Sequence, residues 1–160
     1  MKGSIAIAHL LKEYGVRHLF CFPANPLIDA SASVGLLAHL SLGTTTIAWF
    51  GNDEQKKRFV PSLATGKGVA AWALTEPGGG SDAAAMRTTV TERDGTYFLN
   101  GSKTFITNAR VAESIVVFAT QDASKGHRGI SAFVVEKDSP GLQINPLTVS
   151  IRIPFGVPWQ

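Results

Sequence analysis

The sequence holds a single cysteine, Cys21, so no disulfide forms within the chain and a reducing compartment fits. No histidine or basic side chain is arranged around it, and Cys21 reads as a buried, inert thiol rather than a nucleophile. Charge is scarce too: 17% of residues are charged, and the net excess is only +3. Lys56, Lys57 and Arg58 form the only basic cluster, without interleaved aromatics. That excludes a nucleic-acid footprint and suits a solvated helix face, or attraction of an acidic ligand such as one bearing phosphates. No apolar run approaches the length of a membrane span. The opening MKGSIAIAHLLKEYG is interrupted by His9, Lys12 and Glu13 before a signal core is complete. The histidines, His9, His18, His39 and His127, lack metal-ligand spacing, so no metal site is expected. These absences point to a cytoplasmic protein, or one of the mitochondrial matrix if a targeting segment is missing.

What the sequence does have is apolar residues, 44% of the total, and sixteen glycines, enough for a buried core with many turns. The pattern centres on Ala70 to Asp82, AAWALTEPGGGSD. Ala70, Ala71, Ala73 and Leu74 make a flat strand on which a planar ligand can lie. Pro77 has no N–H to extend a sheet ladder, so the strand stops at Thr75 or Glu76. Gly78, Gly79 and Gly80 permit positive φ and close backbone approach to a ligand. Ser81 or Asp82 reads as the N-cap of a short turn through Ala83, Ala84 and Ala85, whose free N–H groups suit a phosphate or a ring carbonyl.

Taken in order, Ser4 to Tyr14 reads as an amphipathic helix, Val16 to Phe22 as a short buried strand and Pro23 to Pro26 as a loop. Val34 to Phe50 reads as a buried helix weakened by Gly43 and three consecutive threonines. A second helix starts at an Asn52–Gln55 capping box, carries Glu54 and Arg58 one turn apart, is ended or kinked by Pro61 and is closed by Thr65-Gly66. Beyond the glycine bend the period shifts toward two. Strands are expected over Arg87–Arg93, Tyr97–Asn100, Thr104–Thr107, Ser114–Thr120, Ile130–Glu136 and Leu142–Ile144, with turns at Asp94-Gly95, Asn100-Gly101, Asn108, Asp122–Gly129 and Pro140-Gly141. The fold class is α+β: short N-terminal helices, then an antiparallel β-barrel or sandwich.

Three stretches, TEPGGGSD, Gly101 to Asn108 (GSKTFITN) and Gly126 to Glu136 (GHRGISAFVVE), together resemble the middle domain of acyl-CoA dehydrogenases, whose TEPGxGSD and ITN motifs both occur in order. FGNDEQKKRFVPSLATGK resembles the last helices before that domain. GVRHLFCFPANPLIDA, in contrast, resembles the opening of thiamine-diphosphate enzymes of the acetolactate synthase type. The expected organisation is an N-terminal appendage over 1–33, a helical segment over 34–66, a flavin-binding β domain over 67–147 and an unmatched tail over 148–160.

The first resemblance implies FAD, a hydride taken from the β-carbon of an acyl-CoA thioester, and electron-transferring flavoprotein as acceptor. It implies that Trp72, Leu74, Thr75 and Gly80 line the flavin, and that Ser81 contacts its pyrophosphate or the thioester substrate. Phe105, Ile106 and Thr107 then form the wall behind the ring, with the Thr107 hydroxyl toward flavin N5. Residue chemistry agrees: an aromatic wall excludes water and a donor steadies the charge that arrives with hydride. Phe105 and Thr107, two apart on one strand, would share a face. No catalytic residue is assigned, because the family's proton-accepting carboxylate belongs to a helical domain outside this sequence and Glu76 is not that base. Ser81 lacks a G-x-S-x-G context, which argues against a hydrolase. A complete protein of this family is expected to be a homo-oligomer. The alternatives are a β-domain remnant without cofactor and a thiamine-diphosphate lyase fragment.

Overall fold

The computed structural model describes residues 35–145 and, for the backbone alone, residues 148–155. The helix and strand expected before residue 34, and the thiamine-enzyme resemblance they carry, lie outside the described residues.

The first described element is a helix whose stretch Ala38–Thr44 is wound as a π-helix, followed by α1, Thr45–Phe50. The threonine run explains the widened turn. Thr45 Oγ1 donates to Leu40 O at 2.6 Å and Thr46 Oγ1 to Leu42 O at 2.5 Å, so hydroxyls compete for helix carbonyls. Burial is one-sided: Ala38, His39, Gly43, Thr44 and Ile47 face inward, while Trp49 and Phe50 are 69% and 80% exposed. The expectation of a buried helix therefore holds for one face only. A Cβ on Gly43 would stand 2.5 Å from Ala70 Cβ, which is how closely this helix crosses the first strand.

The second helix, α2, spans Asp53–Ala64 and has the expected capping box, with Gln55 N donating to Asn52 Oδ1 at 2.9 Å and Asn52 N to Gln55 Oε1 at 2.8 Å. Pro61 sits inside the helix without ending it. Arg58 turns away from Glu54 and pairs with Glu136 at 2.6 Å, tying α2 to the sheet.

Seven strands follow: β1 Ala70–Ala73, β2 Thr89–Arg93, β3 Thr96–Thr104, β4 Ser114–Thr120, β5 Ile130–Glu136, β6 Leu142–Asn145 and β7 Thr148–Phe155. They form one sheet in the order β1-β4-β2-β3-β7-β6, with β5 on the other side of β4. The expected all-antiparallel arrangement is corrected here. β1 runs parallel to β4, and β2 meets β4 in parallel at Thr89–Thr120, so the sheet is mixed; the pairings among the described residues do not close into a ring. The stretch from Leu74 to Glu113 is long enough to carry the chain back to the start of the sheet, which parallel pairing needs. The sequence SIVVFAT of β4 fits this central place, because a strand covered on both faces reads as a continuous apolar run. Ile115, Val117 and Ala119 join Ala71, Ala73, Val90, Leu99, Phe133 and Val135 on one face, while Val116 joins Ala70 and Val134 against Ile47 and Leu63 on the other.

Two expected strands, Tyr97–Asn100 and Thr104–Thr107, are corrected together. β3 runs unbroken through Asn100-Gly101 and stops at Thr104. Gly101 is not a turn residue: a Cβ there would lie 2.4 Å from Thr88 Oγ1, so the glycine admits close approach of a neighbouring segment. β7, within the residues expected as an unmatched tail, pairs with β3 from Tyr97–Phe155 to Thr104–Thr148.

Candidate functional site

The site is built where β1 runs out beside the end of β3. Small residues let β1 lie flat, with Ala71 and Ala73 buried on one face and Ala70 and Trp72 on the helix-side face. Past the strand, Thr75 O accepts from Thr104 N at 2.9 Å and Leu74 O accepts from Lys103 Nζ at 3.1 Å. The TEP segment and the segment leading into ITN are thus joined directly, as convergence on one surface requires. Glu76 N donates to Gly79 O at 3.0 Å and Gly79 N donates back to Glu76 O at 3.1 Å, closing a tight turn over Pro77 and Gly78. None of the three glycines has positive φ, so the left-handed freedom that glycine permits is not used here. Their role here is the missing side chain: a Cβ on Gly78 or Gly80 would meet nothing within 4 Å, leaving the outer side of the bend open for a ligand.

Glu76 is buried and forms an ion pair with Lys103 at 2.8 Å, while its carboxylate also accepts from Arg87 N at 2.7 Å and Thr88 N at 2.8 Å. Burial alone would push this carboxyl up, but the Lys103 and amide hydrogen bonds outweigh it and hold the pKa at about 2. Burial pushes the Lys103 ammonium down, against the pull of Glu76. Lys103 is 0% exposed and was not singled out from the sequence. A signal existed: with β3 read as one strand, Lys103 falls on the same face as Leu99, where a lysine needs a carboxylate.

Ser81 and Asp82 are exposed, and Ala83–Ala85 forms a short 3₁₀ turn. The Asp82 side chain caps nothing; only its backbone carbonyl accepts, from Ala85 N at 3.3 Å. Asp82 thus holds the expected N-cap position, through its backbone carbonyl and not its side chain.

Beyond β3, Phe105 has φ of 56° and Asn108 of 69°. Positive φ at Phe105 breaks the extended run, so Phe105 and Thr107 do not share a face by strand alternation. Phe105 is 72% exposed, Thr107 is exposed, and Ile106 is half-buried against the core face that holds Ala71 and Ala73. Asn108 tolerates the left-handed region and donates to Gly35 O at 2.7 Å.

Trp72 and Ile106 pack on opposite faces of the sheet and are not brought together. Trp72 instead meets Phe118 edge-on, ring centroids 4.9 Å apart, beside a cleft of about 470 Å³ that Thr46 and Phe50 also line. His39 is structural. Ala70 N donates to its Nδ1 at 2.9 Å, so Nε2 carries the proton and donates to Leu63 O at 3.2 Å; burial keeps the ring neutral. No group of three potential ligands able to hold a metal occurs among the described residues, and no helix among them is long and apolar enough to cross a membrane.

Residues 71–154 match the model for the acyl-CoA dehydrogenase middle domain, and residues 24–67 match that for its N-terminal domain. The chain belongs to the acyl-CoA dehydrogenase family. The N-terminal family match takes in the last part of the stretch that resembles thiamine enzymes. An acyl-CoA dehydrogenase of Bacillus subtilis (strain 168) is 49% identical over 117 residues, which cover 73% of this chain and 31% of that protein. Among solved structures, butyryl-CoA dehydrogenase from Megasphaera elsdenii superposes with a TM-score of 0.74 at 36% identity, covering 78% of this chain and 36% of its own. PigA with FAD and proline superposes with a TM-score of 0.77 at 36% identity, covering 81% and 37%. The chain thus spans about a third of the length of these similar proteins.

Proposed function

We propose that this chain supplies the flavin platform of an acyl-CoA dehydrogenase, an FAD-dependent enzyme that oxidises an acyl-CoA thioester at its α and β carbons. The observation that carries the reading is the direct joint between the two motif segments, Thr104 N to Thr75 O and Lys103 Nζ to Leu74 O. The glycine bend follows directly on Thr75 and the exposed Phe105 ring directly on Thr104, with the exposed Thr107 hydroxyl two residues further, a set of groups that fits the edge and face of an isoalloxazine. FAD held there would supply the acceptor for a hydride from the substrate.

This chain's own residues orient the cofactor and keep water from it. Leu74, Thr75, Gly80 and Ser81 border the bend, while Phe105, Ile106 and Thr107 supply the wall. Trp72 lines the cleft on the helix side, on the opposite face of the sheet from Ile106. Glu76 is unsuited to remove the α-proton, because a carboxylate with a pKa of about 2 that already accepts from Lys103 and two amides is a weak base. Residues 34–66 serve as the helical segment and 67–147 as the flavin-binding unit; the acceptor is electron-transferring flavoprotein, and the whole enzyme is a homo-oligomer. Titrating the purified chain with FAD and following quenching of flavin fluorescence tests the reading. Saturable binding supports it, and a chain that leaves FAD unquenched is a β-domain remnant without cofactor.

A further inference from the structure

The geometry points to Lys103 and Glu76 as positioning residues that fix the glycine bend in the shape that seats the flavin, an inference resting on the flavin reading above. The bend is an arch from Pro77 to Met86, and the Glu76 carboxylate closes its base by taking the Arg87 and Thr88 amides at 2.7 and 2.8 Å. Lys103 then locks that closure to β3, spanning from Glu76 Oε1 at 2.8 Å to Leu74 O at 3.1 Å. Three consecutive residues, Leu74, Thr75 and Glu76, are thereby held by Lys103 and Thr104. The arch itself stays exposed at Pro77, Gly78, Gly80, Ser81 and Asp82, and a Cβ on Gly78 or Gly80 would touch nothing, so beyond its own Glu76–Gly79 turn and the buried Met86 it is held at the base. A buried ion pair is often replaceable by apolar side chains without loss of stability, whereas a fixed arch beside a ligand requires this pair's directionality.

The test compares Lys103→Met, Glu76→Gln/Lys103→Met and, as a control, Val135→Ala, a buried position on β5 separated from β1 by β4. Amide hydrogen exchange reads the arch without cofactor, and FAD titration in buffer where each variant is fully folded reads the seat. In Lys103→Met the Arg87, Thr88 and Thr104 amides should exchange about tenfold faster or more, and FAD affinity should fall by about tenfold or more. The double variant removes the unpaired charge, so its urea midpoint should recover while FAD affinity stays low, because the Leu74 tether is still missing. Val135→Ala should lower the midpoint yet bind FAD as the unaltered chain does. Unchanged exchange at those amides overturns the inference, as does FAD affinity that recovers with stability in the double variant. Faster exchange in a chain whose unaltered form binds no FAD leaves the clamp standing and sinks the flavin reading instead.

Discussion

Replacing Glu76 with glutamine keeps the shape of the side chain and removes one of two opposed buried charges. In the unaltered chain the carboxyl falls from an ordinary 4.5 to about 2. At about 1.4 kcal/mol for each pKa unit, the folded state gains about 3 kcal/mol at neutral pH. Because the folded pKa is the lower one, that stability is fully present above pH 4.5 and is lost as the pH falls toward 2. In E76Q the Lys103 ammonium, 0% exposed, keeps only the Leu74 carbonyl and a neutral amide as partners. Stranding a buried charge costs about 3–5 kcal/mol, the same order as that gain. The lost partner also depresses the already lowered Lys103 pKa further, and a depressed lysine makes stability rise with pH toward its ordinary value. Urea unfolding across acid, neutral and alkaline pH reads both effects. E76Q should be less stable by about 3 kcal/mol or more at pH 7, lose the acid-side slope and regain stability in alkali. A loss below about 1 kcal/mol with the acid slope intact would mean that the pair behaves as a solvated surface bridge, and the reasoning fails.

Gly80→Val puts a branched side chain into the open side of the bend and should abolish FAD binding with little change in urea midpoint; undiminished binding shows that the ligand sits elsewhere. The chain loaded with FAD should oxidise butyryl-, octanoyl- or palmitoyl-CoA at no detectable rate with an artificial electron acceptor, since Glu76 is held too acidic to take the α-proton; measurable turnover overturns that. Phe105→Gly relieves a left-handed φ of 56° that costs a non-glycine residue about 1–2 kcal/mol, so stability should hold or rise while FAD affinity falls. A large loss of stability in that variant would make Phe105 a packing residue instead of a ligand wall.

The parts of the fold that follow from local rules are legible in the sequence. The Asn52–Gln55 capping box forms as spaced, and β4 and β5 have the expected ends, because apolar runs between turn residues leave little freedom. What is not legible depends on partners distant in the chain. Gly101 looks like a turn after Asn100 until Thr88 is seen beside it, and splitting β3 there hides the alternation that puts Lys103 inside. Arg58 has a carboxylate one helical turn away in Glu54, yet it reaches Glu136 across the sheet. The parallel pairing of β1 with β4 is likewise set by the path of the whole chain and has no local mark in AAWA.

Three departures from ordinary packing stand close together. A bulky residue in the left-handed region at Phe105, a lysine with no exposed surface at Lys103 and a carboxylate pulled to about 2 at Glu76 all flank the joint between β1 and β3. Elsewhere the sheet follows simple rules, with alanine, valine and isoleucine filling both faces of β4. A fold selected for stability alone has no reason to gather left-handed backbone and buried charge beside an open bend, because each is costly and none fills the core. Their gathering makes sense if the bend must present backbone and an exposed ring in a fixed relation to something outside the chain. The stability tests above bear on that directly: if the costly features at Phe105, Lys103 and Glu76 serve a ligand, substitutions there should separate ligand affinity from stability, as changes in the β4 core should not.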